Sequence, residues 1–214
     1  MTSQPETQAQ APARSGALAL LASSLAYLLL MTVHPRHAGG PTLALGHITL
    51  NDAVHWTGLL VMPLLAYGYL ELARWVGAAR PLVGLATCAM AFSLFAGMGA
   101  AIMSGLIAPE VARSAQAMES PAEVLTALRH FGYWLNQGFA TVHYTLAMIA
   151  IGLFSLALLK PARGLAIGGL ILSAGFLAWL ATGTWRPSVH GALVVVIAFA
   201  GWTVAAALRI RRTA

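Results

Sequence analysis

The chain has 214 residues, of which 59% are apolar and only 8% charged, with a mean hydropathy of +0.77 and a formal net charge of +6. A soluble domain carries about 25% charged residues, so this sequence cannot clothe a water-facing surface and its natural solvent is lipid. Nucleic-acid binding is excluded as well, because the cations flank apolar segments and form no basic stripe or known binding motif.

Residues 1–13 are rich in Gln, Thr, Pro and Ala and read as a disordered cytoplasmic tail, which leaves residues 14–212 as a single transmembrane domain. The first apolar segment, 15–34, exceeds the ~7–15 residues of a signal-peptide core. No A-x-A site follows it, so it reads as a retained first helix that Pro35 stops. Asn51 and Asp52 are expected to cap the second segment, 53–73, and Pro63 to kink it.

Pro81 opens the third segment, 82–108. It carries Ser93, Gly97, Ala101 and Gly105 at four-residue spacing, a stripe of small residues suited to close helix packing. Its Cys88 is the single cysteine of the chain; it forbids an internal disulfide and reads as a small core residue.

A polar stretch, 109–120, precedes Ser120–Pro121–Ala122–Glu123, which reads as a capping box with proline at the first helical position. A helix from Pro121 to Lys160 is ~60 Å long at 1.5 Å per residue, against a bilayer core of ~30 Å. Its apolar part is 130–159, so its first turns are expected to stand above the membrane or to bend near Gly132. Pro161 is placed in the first turn of the fifth segment, 163–183, and Pro187–Ser188 precede the sixth, 189–208. The expected fold is therefore an all-α integral membrane protein, a six-transmembrane-helix bundle with a short extramembrane helical cap between its third and fourth helices.

Orientation follows from the cations. One side holds Arg14, Arg74, Arg80, Lys160, Arg163, Arg209, Arg211 and Arg212, and the other holds Arg36, Arg113, Arg129 and Arg186. The excess places both termini in the cytoplasm. Arginine in preference to lysine, with abundant alanine, indicates a GC-rich bacterial gene and hence a bacterial inner membrane.

All seven histidines fall on the outer side. His34, His55, His143 and His190 follow valine in each case, and Val54–His55–Trp56–Thr57 echoes Val142–His143–Tyr144–Thr145. Separations of 20, 19, 17 and 19 residues lie between these four and the cytoplasmic cations Arg14, Arg74, Lys160 and Arg209 of their own helices. At 1.5 Å per residue all four imidazoles are expected in one layer, ~26–30 Å above the inner boundary. Trp56, Tyr133, Trp134 and Trp185 share that region as interface anchors, and His37 and His130 are of the same kind.

Ionisable groups at membrane depth are costly, which makes a shared site the functional expectation. Neutral imidazole ligates Zn, Cu and Fe, so His34, His55, His143 and His190 form a candidate transition-metal site, with Asp52 in support. His55 and His143 could instead hold a haem b iron. Electron transfer with quinone, or activation of a metal-bound water on a lipid or other substrate, would follow. Alternatives are a carrier or channel for protons or a small solute gated by histidine protonation, and a non-catalytic subunit whose small-residue stripe faces a partner. Assembly into homo-oligomers fits each of these. No GxSxG, HExxH or HxxxH pattern and no phosphate loop is present.

Overall fold

Among the described residues six helices are long and apolar enough to cross a bilayer, the number the hydropathy requires. The computed structural model describes residues 6–34, 49–118, 121–185, 187 and 189–213. In chain order the helices are α1 (Glu6–Thr32), α2 (Leu50–Val76), α3 (Pro81–Ile102), α4 (Ala108–Ala117), α5 (Ala122–Leu158), α6 (Arg163–Ala181) and α7 (Val189–Thr213). A π-helical turn, Met103–Ile107, joins α3 to α4, so that the third long apolar helix is continuous from Pro81 to Ala115.

The helices close a ring in the order α1, α2, α3, α5, α6, α7 and back to α1. The α3–α5 contact is the most extensive, and the α6–α7 seam is the loosest between ring neighbours. Inside lie Tyr69, Met90, Met148, Ile151, Phe154 and Val196. Leu60, Phe92, Phe95 and Ile171 point outward and are 66–75% exposed, the inverse of a water-soluble bundle. Gly68 lets α1 and α2 approach closely, since a Cβ there would lie 2.7 Å from the Leu20 side chain.

Local chemistry sets the helix ends. Thr49, not Asn51 or Asp52, is the N-cap of α2: its side chain accepts from the Asp52 backbone N–H, while the Asp52 carboxylate accepts from the Thr49 N–H at 3.0 Å. This reciprocal capping box satisfies two donors that the first turn would otherwise leave unpaired. Gly77 ends α2 in the left-handed region at φ 113°. Pro81 takes the first helical position of α3 as expected, whereas Pro161 lies in the turn ahead of Ala162, the N-cap of α6. Pro121 is the N-cap of α5 rather than its first residue, and Ser120 lies outside the described residues.

The π turn has a chemical cause at Pro109. Proline lacks the N–H that would bond the carbonyl four residues earlier, and its ring crowds that carbonyl. The carbonyl in question belongs to Gly105, and the Asn51 side-chain amide takes it at 3.4 Å. The π turn shifts the bonding register there, with the Ala108 N–H reaching back to the Met103 carbonyl.

The first helix is described from Glu6, where Ala and Gln are strong helix formers. Two expectations are corrected. Cys88 is exposed on the outer face of α3 rather than packed in the core. Trp185 is buried, packing edge-on to Phe176 at 5.1 Å and Tyr144 at 5.8 Å, so it is not an interface anchor; Trp56, Tyr133 and Trp134 are exposed. α4 and the exposed first turns of α5 occupy the stretch expected to form a cap.

Candidate functional site

Among the described histidines, His34 and His55 share one level and His143 lies at another. The outer station is built where α1 ends, α2 begins and α3 makes its π turn. His55 is buried, and its ring meets that of His34 edge-on at 5.0 Å between centroids. Its Nδ1 lies 2.7 Å from the Asn51 carbonyl, which can only accept, so Nδ1 carries the proton. In the neutral ring Nε2 then holds a lone pair, and it faces the Ser104 hydroxyl at 2.8 Å. The same hydroxyl also lies 2.8 Å from the Ala100 carbonyl, so its one hydrogen has two acceptors. Gly105 abuts the His55 side chain so closely that no Cβ fits there.

The inner station is His143 on α5. Its Nδ1 donates to the Ser93 carbonyl at 2.9 Å, and its Nε2 accepts from the Tyr27 hydroxyl at 3.0 Å. Ser93 closes the arrangement by donating through Oγ to the His143 carbonyl at 2.8 Å. Gly97 makes room for the ring: a Cβ there would lie 2.9 Å from His143 Nδ1 and 3.1 Å from the Met62 methyl. The small-residue stripe of the third segment therefore faces its own bundle. Ser93, Gly97 and Gly105 form the surface on which both imidazoles rest.

A single layer of histidines is not what forms. His143 lies level with Met62, seven residues inward of His55 on α2, or ~10 Å at 1.5 Å per residue. The reason lies at the other end of the bundle. Arg80 donates to the carbonyls of both Val76 and Ala157, which fixes those residues at one level. Ala157 is only 14 residues inward of His143, whereas Val76 is 21 residues inward of His55. Lys160 is a poor ruler for depth, because long cationic side chains reach to the interface from different heights.

Of the residues assigned to one metal site, the structure brings His34 and His55 together and sets His143 apart. Asp52 is engaged by Thr49 in the capping box, and its Oδ2 also accepts from the Thr49 hydroxyl at 2.8 Å. The His190 side chain, His37, His47 and Arg186 lie outside the described residues. Among the described residues no group of three or more His, Cys, Asp or Glu is placed to hold a metal ion. His55 and His143, assigned as haem ligands, are placed at different levels, with their Nε2 atoms facing Ser104 and Tyr27.

A third polar level lies deeper. Tyr69, seven residues inward of Met62, donates to Thr203 Oγ1 at 2.7 Å. The Phe199 ring stands between the levels, 6.3 Å from Tyr27 and 6.0 Å from Tyr69. Near the basic end Glu71 is buried and ion-paired with exposed Arg74. Ser24, one turn inward of Tyr27, has a fully buried hydroxyl with no hydrogen-bond partner among the described residues.

Tyr27, Ser93, Ser104 and Asn51 were not assigned to the site from sequence. Tyr27 left one trace, a phenol seven residues inward of His34 in a run, 17–30, otherwise built from Leu, Ala and Ser. Compared with known proteins, the chain matches no family model, no curated protein and no solved structure.

Proposed function

We propose that this is a multi-pass protein of a bacterial inner membrane, with both termini inside, that passes protons between the two faces, alone or with a small solute. The observation that carries the reading is the pair of imidazoles with fixed tautomers. In each, a backbone carbonyl holds the Nδ1 proton, and Nε2 meets a hydroxyl, Ser104 outside and Tyr27 within. Imidazole and hydroxyl are groups that accept one proton while releasing another, and histidine changes charge between about pH 5 and pH 8. The levels recur every seven residues along α2, at His55, beside Met62 and at Tyr69. Between the outer and inner stations α2 and α3 offer mainly Leu, Val, Met, Ala and Gly. That apolar interval is the barrier, and wetting it is the controlled step. The cap formed by α4 and the start of α5 stands over the outer station in this reading.

The test is proton flux into liposomes containing the purified protein and an internal pH dye. Flux should exceed that of protein-free liposomes and change as the outside pH is moved from about 8 to about 5. His143→Ala should bring it to the protein-free rate. Flux equal to that of empty liposomes at every pH defeats the reading.

A second reading rests on the His34–His55 pair. Two imidazoles at this separation could serve as two ligands of a zinc or copper ion, with the Asn51 carbonyl orienting His55. Metal content of protein purified without chelators separates the two readings: near-stoichiometric zinc or copper that His55→Ala removes favours the second.

A further inference from the structure

The loose seam between α6 and α7 opens as a groove of about 690 Å³ at the basic end of the bundle. Arg163 stands on its rim at the start of α6, and Arg209 and Arg212 stand there at the end of α7. Neither ion pair among the described residues involves any of the three. Arg209 donates to the Pro161 carbonyl at 3.3 Å, which holds its guanidinium at the mouth. Below the rim the walls are apolar. Trp202 directs its indole N–H to the Leu165 carbonyl at 3.2 Å, so the ring presents its carbon face. Gly164 and Gly168 line the same groove, and a Cβ at either would meet nothing within 4 Å.

Three guanidiniums without a carboxylate attract an anion, while the walls beneath attract hydrocarbon. A soluble anion satisfies only the rim, and a neutral lipid only the walls. Basic pockets between membrane helices on the cytoplasmic side are suited to anionic headgroups. We propose that this groove binds one anionic phospholipid, with its phosphodiester on Arg163, Arg209 and Arg212 and an acyl chain over Gly164 and Gly168 against Trp202. The proposal requires that the chain spans a bilayer, but it is independent of proton passage.

Native mass spectrometry of the protein in mild detergent, equilibrated with equal amounts of phosphatidylglycerol and phosphatidylcholine, tests it. Phosphatidylglycerol should be retained preferentially. The triple variant R163Q/R209Q/R212Q should lose that preference, about fivefold per guanidinium and roughly a hundredfold in all. Gly168→Leu fills the groove without displacing a neighbour and should reduce retention of both lipids while the helical circular dichroism is unchanged. Equal retention of the two lipids by the unaltered protein overturns the proposal, and so does undiminished preference in the triple variant. Release of phosphatidylglycerol by millimolar inorganic phosphate would show an anion site without a lipid and overturns it too. Full lipid retention by a folded Gly168→Leu variant removes the acyl-chain placement.

Discussion

The outer and inner histidine stations use one device in two settings. In both, a backbone carbonyl takes the Nδ1 proton and a hydroxyl faces Nε2. At the outer station the hydroxyl comes from a π turn near helix ends, and the second imidazole, His34, is only half-buried. At the inner station every partner comes from the interior of a long helix, and His143 is 4% exposed. His55 is itself 5% exposed, so the two imidazoles are equally buried and differ in what surrounds them: His55 packs against half-buried His34, whereas His143 is held between α1 and α3.

Stability measurements in detergent can break or sharpen that contrast. The largest effect is expected for His143→Ala, about 2–5 kcal/mol, because the Tyr27 hydroxyl and Ser93 carbonyl lose their partner in a buried site. His55→Ala should cost less, and equal losses for the two would erase the distinction between the stations. Gly105→Ala is expected to cost about 1–3 kcal/mol, since its Cβ must displace His55. Gly84→Ala, where a Cβ meets nothing within 4 Å, should be neutral or stabilising; a loss there as large as at Gly105 would refute the packing account. Tyr27→Phe leaves His143 Nε2 without its donor and should cost about 1.5 kcal/mol, with His143 ring chemical shifts responding while those of His55 stay unchanged. Among the substitutions that remove a contact, the smallest loss is expected for Asp52→Ala. Loss of the capping box should cost about 1 kcal/mol and raise hydrogen exchange only in the first turn of α2.

The six long apolar helices were legible in the sequence because bilayer thickness and backbone hydrogen bonding demand long apolar runs with punctuated ends. Pro81 could be read in place because its effect is local. The positions of His34 and His55 at one end of the bundle were legible from cation counting, since α1 and α2 run their full length between that end and the basic one. His143 was misplaced because its depth is set by a contact between distant residues, Arg80 with the Val76 and Ala157 carbonyls. The π turn was hidden for a similar reason: Pro109 announces a disturbed helix, but only tertiary contact supplies Asn51 to the freed Gly105 carbonyl. Asp52 looked like a partner for His55 three residues on, and the nearer claim of Thr49 took its carboxylate. Ser93 looked like a packing residue; the His143 ring that faces its hydroxyl lies on another helix.

The π turn also bears on how the chain tolerates changes in length. It contains one residue more than an α-helical turn would use. Deleting a residue between Ile102 and Pro109 would return that turn to α-helical bonding and leave the seats of Ser93 and Gly97 against His143 unmoved. Length changes on the outer side of that turn would re-aim α4 at little cost to the interior. A change inward of it would rotate the small-residue stripe away from both imidazoles. The third long helix thus divides into a part of fixed register before the π turn and a part free to vary after it.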